Sequence, residues 1–338
     1  HTQNQSRPKL VTLLFILVAG DMMSMFNDRP EVRALMEYFT TPQSASGWLQ
    51  NGGALAAHQT ATPDMYGVDL ERGIAEIVNE ATAFRFDGSD LMPGEVGAGS
   101  FWTGMTDYVS GLSDLDTAME EIDASWPAGV AGEAQAPAET GDAGFPVMPG
   151  GFLEKAVAGE YAGTEVTVDG PFTNPDDLRF AESMEAFEEA TGITVNYIGD
   201  KEFEARLSIA VDAGDAPDIA DFPQPGKAAG YARQGHIVDP ITWMSEDWLK
   251  QQYNQSWLDM GTVAGPDGSP MNGGVWHRFN GKSLVWYPKD DFEAAGYEIP
   301  TTWDELVALT QMIADDGDTA WCIGIESGAA TGWAATDW

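Results

Sequence analysis

Residues 164–234 read TEVTVDGPFTNPDDLRFAESMEAFEEATGITVNYIGDKEFEARLSIAVDAGDAPDIADFPQPGKAAGYARQ. β-Branched alternation predicts a strand at Thr164 to Val168. Asn174-Pro175-Asp176-Asp177 then predicts an N-cap with proline and acids in the first turn of a helix that stops at Gly192. A strand from Ile193 to Tyr197, a helix from about Glu202 to Val211, a short strand from Ala216 to Asp221 and a helix from about Gln224 to Gln234 follow. Strands alternating with single helices predict an α/β fold whose parallel sheet is covered on both faces. In such sheets ligands sit beyond the carboxyl ends of the strands. That rule singles out two loops, Asp169-Gly170-Pro171-Phe172-Thr173-Asn174 and Asp221-Phe222-Pro223-Gln224-Pro225-Gly226. Both hold an acid, an aromatic, an amide and proline. A carboxylate or amide bonds vicinal hydroxyls, and an aromatic face covers the C–H side of a sugar ring. The plainer assignment, with Phe172 and Phe222 in the core and Asp169 and Asp221 as caps, suits the same pattern.

Downstream, Gly273 to Tyr287 reads as two extended segments around a turn, and Thr302 with Glu305 spells a capping box that opens a helix. Trp321 to Ile325 reads as an apolar strand in which Cys322 is inert. Asp315-Asp316-Gly317-Asp318 lacks the spaced ligands and terminal Glu of a calcium loop and reads as a solvated helix end. Upstream, Leu10 to Gly20 follows Arg7-Pro8-Lys9 and has the form of a signal peptide or of a buried strand, while being too short to span a bilayer. Helices are predicted at Pro30 to Phe39, Asp69 to Ala83, Gly99 to Ser110 and Leu115 to Trp126. Between the two parts, residues 127–150 hold six Ala, five Gly and four Pro among 24 positions, which predicts a linker. The chain therefore divides into a helical segment (1–126), a joining segment (127–160) and an α/β part from residue 161 onward.

The 338 residues carry 54 Asp and Glu against 16 Lys and Arg, a net charge of −38. That charge repels phosphate backbones and anionic membrane surfaces, and it suits a saline or extracytoplasmic setting. With 43% hydrophobic residues the chain is globular, of a length for about two domains. One cysteine excludes an internal disulfide and a thiolate cluster, and the four histidines have no zinc-ligand spacing. Neither a metal nor another cofactor is predicted.

Several stretches resemble the extracytoplasmic solute-binding proteins of carbohydrate ABC importers, in the alpha-glucoside and maltose-type branch. They are AFEEATGITVNY (186–197), AGDAPDIADFPQPGKAAGYARQGHIVD (213–239), GKSLVWYPKDDFEAAGYEIPTTWDELVALTQMIADDG (281–317) and WCIGIESGAATGWAATDW (321–338). AGDMMSMFNDRPEVRALMEYFTTPQSASGWL (19–49), HQTATPDMYGVDLERGIAEIV (58–78) and SDLMPGEVGAGSFWTGMTDYVSGLSDLDTAMEEIDASW (89–126) resemble the same family's ending. The family's tail thus precedes its head here, with a middle stretch missing. A fragment of tandem copies, a shortened circular permutation and a joined reading frame would each give that order. The resemblance also favours a strand over a signal peptide for the opening apolar run.

The resemblance implies a periplasmic-binding-protein-like fold of two lobes with parallel-rich sheets flanked by helices, the second lobe incomplete. It would split the α/β part into a first lobe (161–275) and a hinge crossover with the start of a second lobe (276–338). A sugar would be held in the cleft of a monomeric, periplasmic or cell-surface protein and delivered to a permease, with no bond made or broken. By matching motifs, Asp221, Phe222, Gln224, Phe172 and Thr173 would face the sugar from the first lobe. Trp102, Thr331 and Trp333 would face it from the second, and Trp276, Arg278 and Lys282 from the hinge side. A glycoside hydrolase would need a carboxylate pair, for which only Asp221 and Glu326 are candidates. A surface lectin would use the same aromatics without transport, and a chimera of such proteins would have no activity.

Overall fold

The computed structural model describes residues 16–80, 84–86, 100–109, 111–125, 143–282, 285–300 and 302–322. Strand β1 (Ile16–Met25) leads into α1 (Pro30–Phe39), α2 (Ser46–Asn51), β2 (Leu55–Ala56), α3 (Asp69–Glu80), β3 (Phe84–Phe86), α4 (Trp102–Val109) and α5 (Leu115–Ala124). The later part runs α6 (Phe152–Val157), β4 (Glu165–Gly170), α7 (Asp176–Thr191), β5 (Thr194–Gly199), α8 (Phe203–Ala213), β6 (Ile219–Phe222) and α9 (Pro225–Gln234). It continues through α10 (Glu246–Gln252), α11 (Gln255–Met260), β7 (Thr262–Ala264), β8 (Pro270–Asn272), β9 (Val275–Gly281), α12 (Lys289–Ala295) and α13 (Trp303–Asp315).

Local chemistry sets most of these boundaries. Pro30 opens α1 with Glu31 in its first turn, and Val32, Leu35, Met36 and Phe39 bury one face. Helices α7, α8 and α9 each end at a glycine in the left-handed region, Gly192, Gly214 and Gly235, as a C-terminal glycine stop requires. The capping box predicted for α13 forms, with Thr302 accepting from the Glu305 N–H at 3.2 Å. The cap predicted for α7 does not. Pro175 occupies the N-cap without a side-chain bond. Asp176 instead accepts from the Trp48 indole at 2.9 Å and pairs with Arg179.

Seven strands form one sheet in the order β2-β9-β1-β6-β4-β5, with β3 beside β1, while β7 and β8 pair separately. Strands β4, β5 and β6 are parallel, as their alternation with helices predicts. The wholly parallel sheet expected from that alternation is not what forms, because β1 enters between β6 and β9 and runs antiparallel to both. Strands from both sides of residues 127–142 therefore share one sheet and one core. The end of the Ala/Gly/Pro-rich stretch is packed: Phe145 is fully buried, 4.9 Å from the Tyr38 ring. Glu37 on α1 accepts the Phe152 and Leu153 N–H groups at 2.8 and 2.9 Å, so α1 caps α6.

Two further expectations change. Residues 285–288 pair with no strand among the described residues, so of the two expected extended segments only β9 joins the sheet; residues 283 and 284 lie outside the described ones. Cys322 is exposed and outside any strand, where an apolar burial was expected; Ile323 to Ile325, the rest of that proposed strand, lie outside the described residues. The start of the Leu10 to Gly20 run also lies outside them, and its end forms β1.

Candidate functional site

The pleat of β6 separates its two candidate residues. Met22 pairs with Phe222 and Met23 with Asp221, so successive side chains point to opposite faces of the sheet. Phe222 is fully buried among Phe26, Phe203 and Tyr231, at ring distances of 6.4, 6.3 and 5.9 Å. Asp221 turns to the other face, which it shares with Asp21 two residues before Met23 on β1. Opposite Asp21 the register of β9 slips between Gly20 and Met22. Such a bulge re-aims side chains beside it, and Arg278 emerges there.

Arg278 is the centre of the cluster. Its Nε lies 3.0 Å from Asp21 Oδ2 and its Nη2 lies 3.7 Å from Asp176 Oδ2. The guanidinium sits 4.3 Å from the Phe172 ring centroid and 4.8 Å from that of Trp48, within cation–π range of both. Trp48 is fixed in turn by its indole bond to Asp176. Phe172 stacks on Tyr197 at 5.6 Å, and the Tyr197 hydroxyl accepts the Phe172 N–H at 2.9 Å. Gly170 makes this closeness possible, since a Cβ there would lie 2.5 Å from the Tyr197 hydroxyl and 2.8 Å from Asp221 Cβ.

Asp221 is fully buried, and both its carboxylate oxygens lack a hydrogen-bond partner in the protein. Burial holds its proton affinity well above the usual carboxylate range, the charge of Asp21 adds to this, and Arg278 opposes it. Asp21 is raised for the same first reason, with Arg278 opposing and Asp176 adding. Burial, followed by the charge of Asp221, pushes the Tyr197 phenol up and keeps it neutral. Gln224, just before α9, also keeps a buried carbonyl oxygen without a partner. The cluster thus keeps two unpartnered acceptor oxygens on Asp221 and one buried donor, Arg278 Nε, that faces Asp21 without a well-formed hydrogen bond. A hydroxyl, donor and acceptor at once, could satisfy that set.

The other candidates are dispersed. Thr173 is half-buried and its carbonyl accepts the Asp176 N–H at 2.9 Å. Trp276 is buried against Trp257, to whose carbonyl its indole donates at 2.6 Å. Lys282 is half-buried just beyond β9. Trp102 opens α4, with its side chain outside the described residues, and Thr331, Trp333 and Glu326 lie outside them altogether. Asp169 pairs with Arg206 and faces away from Asp221. A partly open pocket of about 20 Å³ beside His58, Tyr66 and Phe279 has room for one water and not for a sugar ring.

Four members of the cluster were not singled out by sequence as site residues: Asp21, Trp48, Asp176 and Tyr197. Asp21 carries a readable signal, as the single charge in the apolar run from Leu10 to Phe26. Trp48, Asp176 and Tyr197 carry none beyond residue type.

Residues 174–338 match the family described as bacterial extracellular solute-binding protein. The chain is 44% identical over 182 residues to an osmoprotective compounds-binding protein of Synechocystis, covering 54% of this chain and 42% of that protein. It is 41% identical over 181 residues to an alpha-glucosides-binding periplasmic protein of Rhizobium meliloti, covering 53% of this chain and 39% of that one. The chain thus spans about two fifths of the length of these curated relatives. Both are named as binding proteins and neither as an enzyme.

Proposed function

We propose, from the match of residues 174–338 to the bacterial extracellular solute-binding proteins, that this chain captures a neutral polyhydroxylated solute, an alpha-glucoside-like sugar, for an ABC importer. The observation that carries the reading is the bare, buried Asp221 carboxylate in the last pleat of β6, on the sheet face that Arg278 shares with Phe172 and Trp48. Hydroxyl donors would satisfy Asp221 and Gln224, and the aromatic layer would cover a ring face. On this reading Trp102, Thr331 and Trp333 would add contacts from a second lobe that closes by hinge bending, and the closed form would be presented to a permease outside the cytoplasm. The names of the two relatives support a sugar-type or osmoprotectant-type solute.

Hydrolysis is the weaker reading. A glycosidase holds two carboxylates about 5 to 10 Å apart across an open scissile bond, whereas Asp21 is closed against Arg278.

Tryptophan fluorescence titration with maltose, trehalose and sucrose, and with glucose as control, tests the proposal. A saturable response to a disaccharide that weakens by about 1–3 kcal/mol in Trp102→Ala and Trp333→Ala supports it. Undiminished affinity in both variants contradicts the assigned site, and release of reducing ends would revive the hydrolase.

A further inference from the structure

The buried centre of the sheet holds two carboxylates against one guanidinium. Asp21 from β1, Asp221 from β6 and Arg278 from β9 share one face, and the bulge on β9 places Arg278 against Asp21 and not against Asp221. Asp21 and Arg278 are each 7% exposed or less and Asp221 is 0% exposed, so water does not screen them. Other groups facing the centre are Tyr197 from β5, Asp176 and Arg179 from the start of α7, and His277 beside Arg278. Arg179 is taken up by Asp176 at 2.9 Å, and His277 bonds the Ser44 carbonyl at 2.7 Å and stays neutral. Arg278 stands at ion-pair distance from Asp21 and Asp176 and not from Asp221, so it offsets the charge of Asp221 only from farther away.

We propose that Asp21, Asp221 and Arg278 form a charge-sharing centre that holds one proton on Asp221 when unliganded, and that a hydroxyl-donating ligand arriving at Asp221 displaces that proton. In the step the Asp221 O–H bond breaks, the proton leaves to solvent, and the ligand hydroxyl donates to the carboxylate so formed. Ionised buried carboxylates require donors or a counter-charge. A ligand hydroxyl supplies the first where the fold withholds the second. Asp21 is accordingly a positioning residue: it fixes Arg278 and thereby sets the proton affinity of Asp221. This inference rests on the reading of Asp221 as a ligand contact, and it makes solute capture tighten as pH rises.

Two measurements separate the inference from the function it deepens. In the full chain labelled with ¹³C at the Asp carboxyl carbons, the resonance lost in Asp221→Asn should titrate above the ordinary carboxylate range. Its midpoint should fall by about one pH unit or more in Asp21→Asn, because removing one negative charge frees Arg278 for Asp221. Asp21→Glu, which keeps the charge, should restore the wild-type midpoint. Independently, maltose, trehalose and sucrose affinities from pH 5 to 8 should strengthen by up to about tenfold per pH unit while Asp221 is protonated, with a flat profile in Asp21→Asn. If no sugar binds at any pH, the proposed function fails and the carboxyl titration still decides the charge-sharing centre. If Asp21→Asn does not fold, the wild-type titration decides alone. An Asp221 resonance in the ordinary range, one unmoved by Asp21→Asn in a folded chain, or sugar binding without a pH dependence would overturn the proposal.

Discussion

At the scale of single residues, the candidate site is a set of charges with one partner too few. Arg278 carries most of the electrostatic load, since Asp21 and Asp176 both lean on it and two aromatic rings cover it. Replacing it with Met leaves buried acids unpaired and should destabilise the chain by about 3–5 kcal/mol in urea unfolding, whereas Arg278→Lys should cost less. An equal loss in both variants would show that the guanidinium's charge is not what the fold uses. Glu37 gives a separate pH signature. Burial raises its carboxyl to about 7, against the lowering effect of the Leu153 and Phe152 N–H groups, and the unfolded value is 4.5. A folded value above the unfolded one means that its stabilisation is complete below pH 4.5 and is lost as pH rises through 7. The loss amounts to about 3 kcal/mol. The difference in stability between wild type and Glu37→Gln, followed from pH 4 to 8, should show that slope; a constant difference would refute it. His58 and His277, held neutral with values of about 3 mainly by burial, act in the opposite sense. Their stabilisation is present above pH 6.5 and fades as pH falls toward 3.

At the scale of elements, close backbone approaches set the packing. A Cβ on Gly47 in α2 would lie 2.1 Å from the Arg179 carbonyl oxygen in α7. Backbone cannot yield as a side-chain tip does, so Gly47→Ala should cost about 1–3 kcal/mol and separate α2 from α7. A neutral substitution would show that the two helices are less tightly joined. The elements also mark what the sequence makes legible. Helices with local start and stop chemistry are readable: Pro30 for α1, Gly192 for α7 and the Thr302–Glu305 box for α13. Sheet order is not local. The neighbours of β6 are β4, about 50 positions away, and β1, about 200 positions away, and nothing in the residues 219–222 names the second. The fate of Asp176 shows the same limit, because its carboxylate answers to Trp48 and Arg278 from distant segments as well as to Arg179 in its own helix. Asp221 and Phe172 are legible as site candidates from loop position and residue type, and Arg278 only through the family resemblance. Their mutual arrangement depends on a bulge in β9 that no pattern announces.

At the scale of the whole molecule, β1 ties the N-terminal segment into the sheet of the later part. A chain of residues 143–338 alone would expose the facing edges of β6 and β9 and should show no cooperative unfolding transition. A cooperative melt from that piece would contradict the single shared core. A net charge of −38 makes self-repulsion a global term, so moderate salt should raise the melting temperature even with no ligand. The central claim, that Asp221 and its aromatic layer bind a sugar, is tested most directly by thermal melts of wild type and Asp221→Ala with maltose, trehalose and sucrose. At about 100 times its dissociation constant the correct sugar should stabilise the wild type by about 2.7 kcal/mol, a shift of several degrees. The account predicts that shift in the wild type and its loss in a folded Asp221→Ala chain. A shift of equal size in both, or none with any sugar, would contradict it.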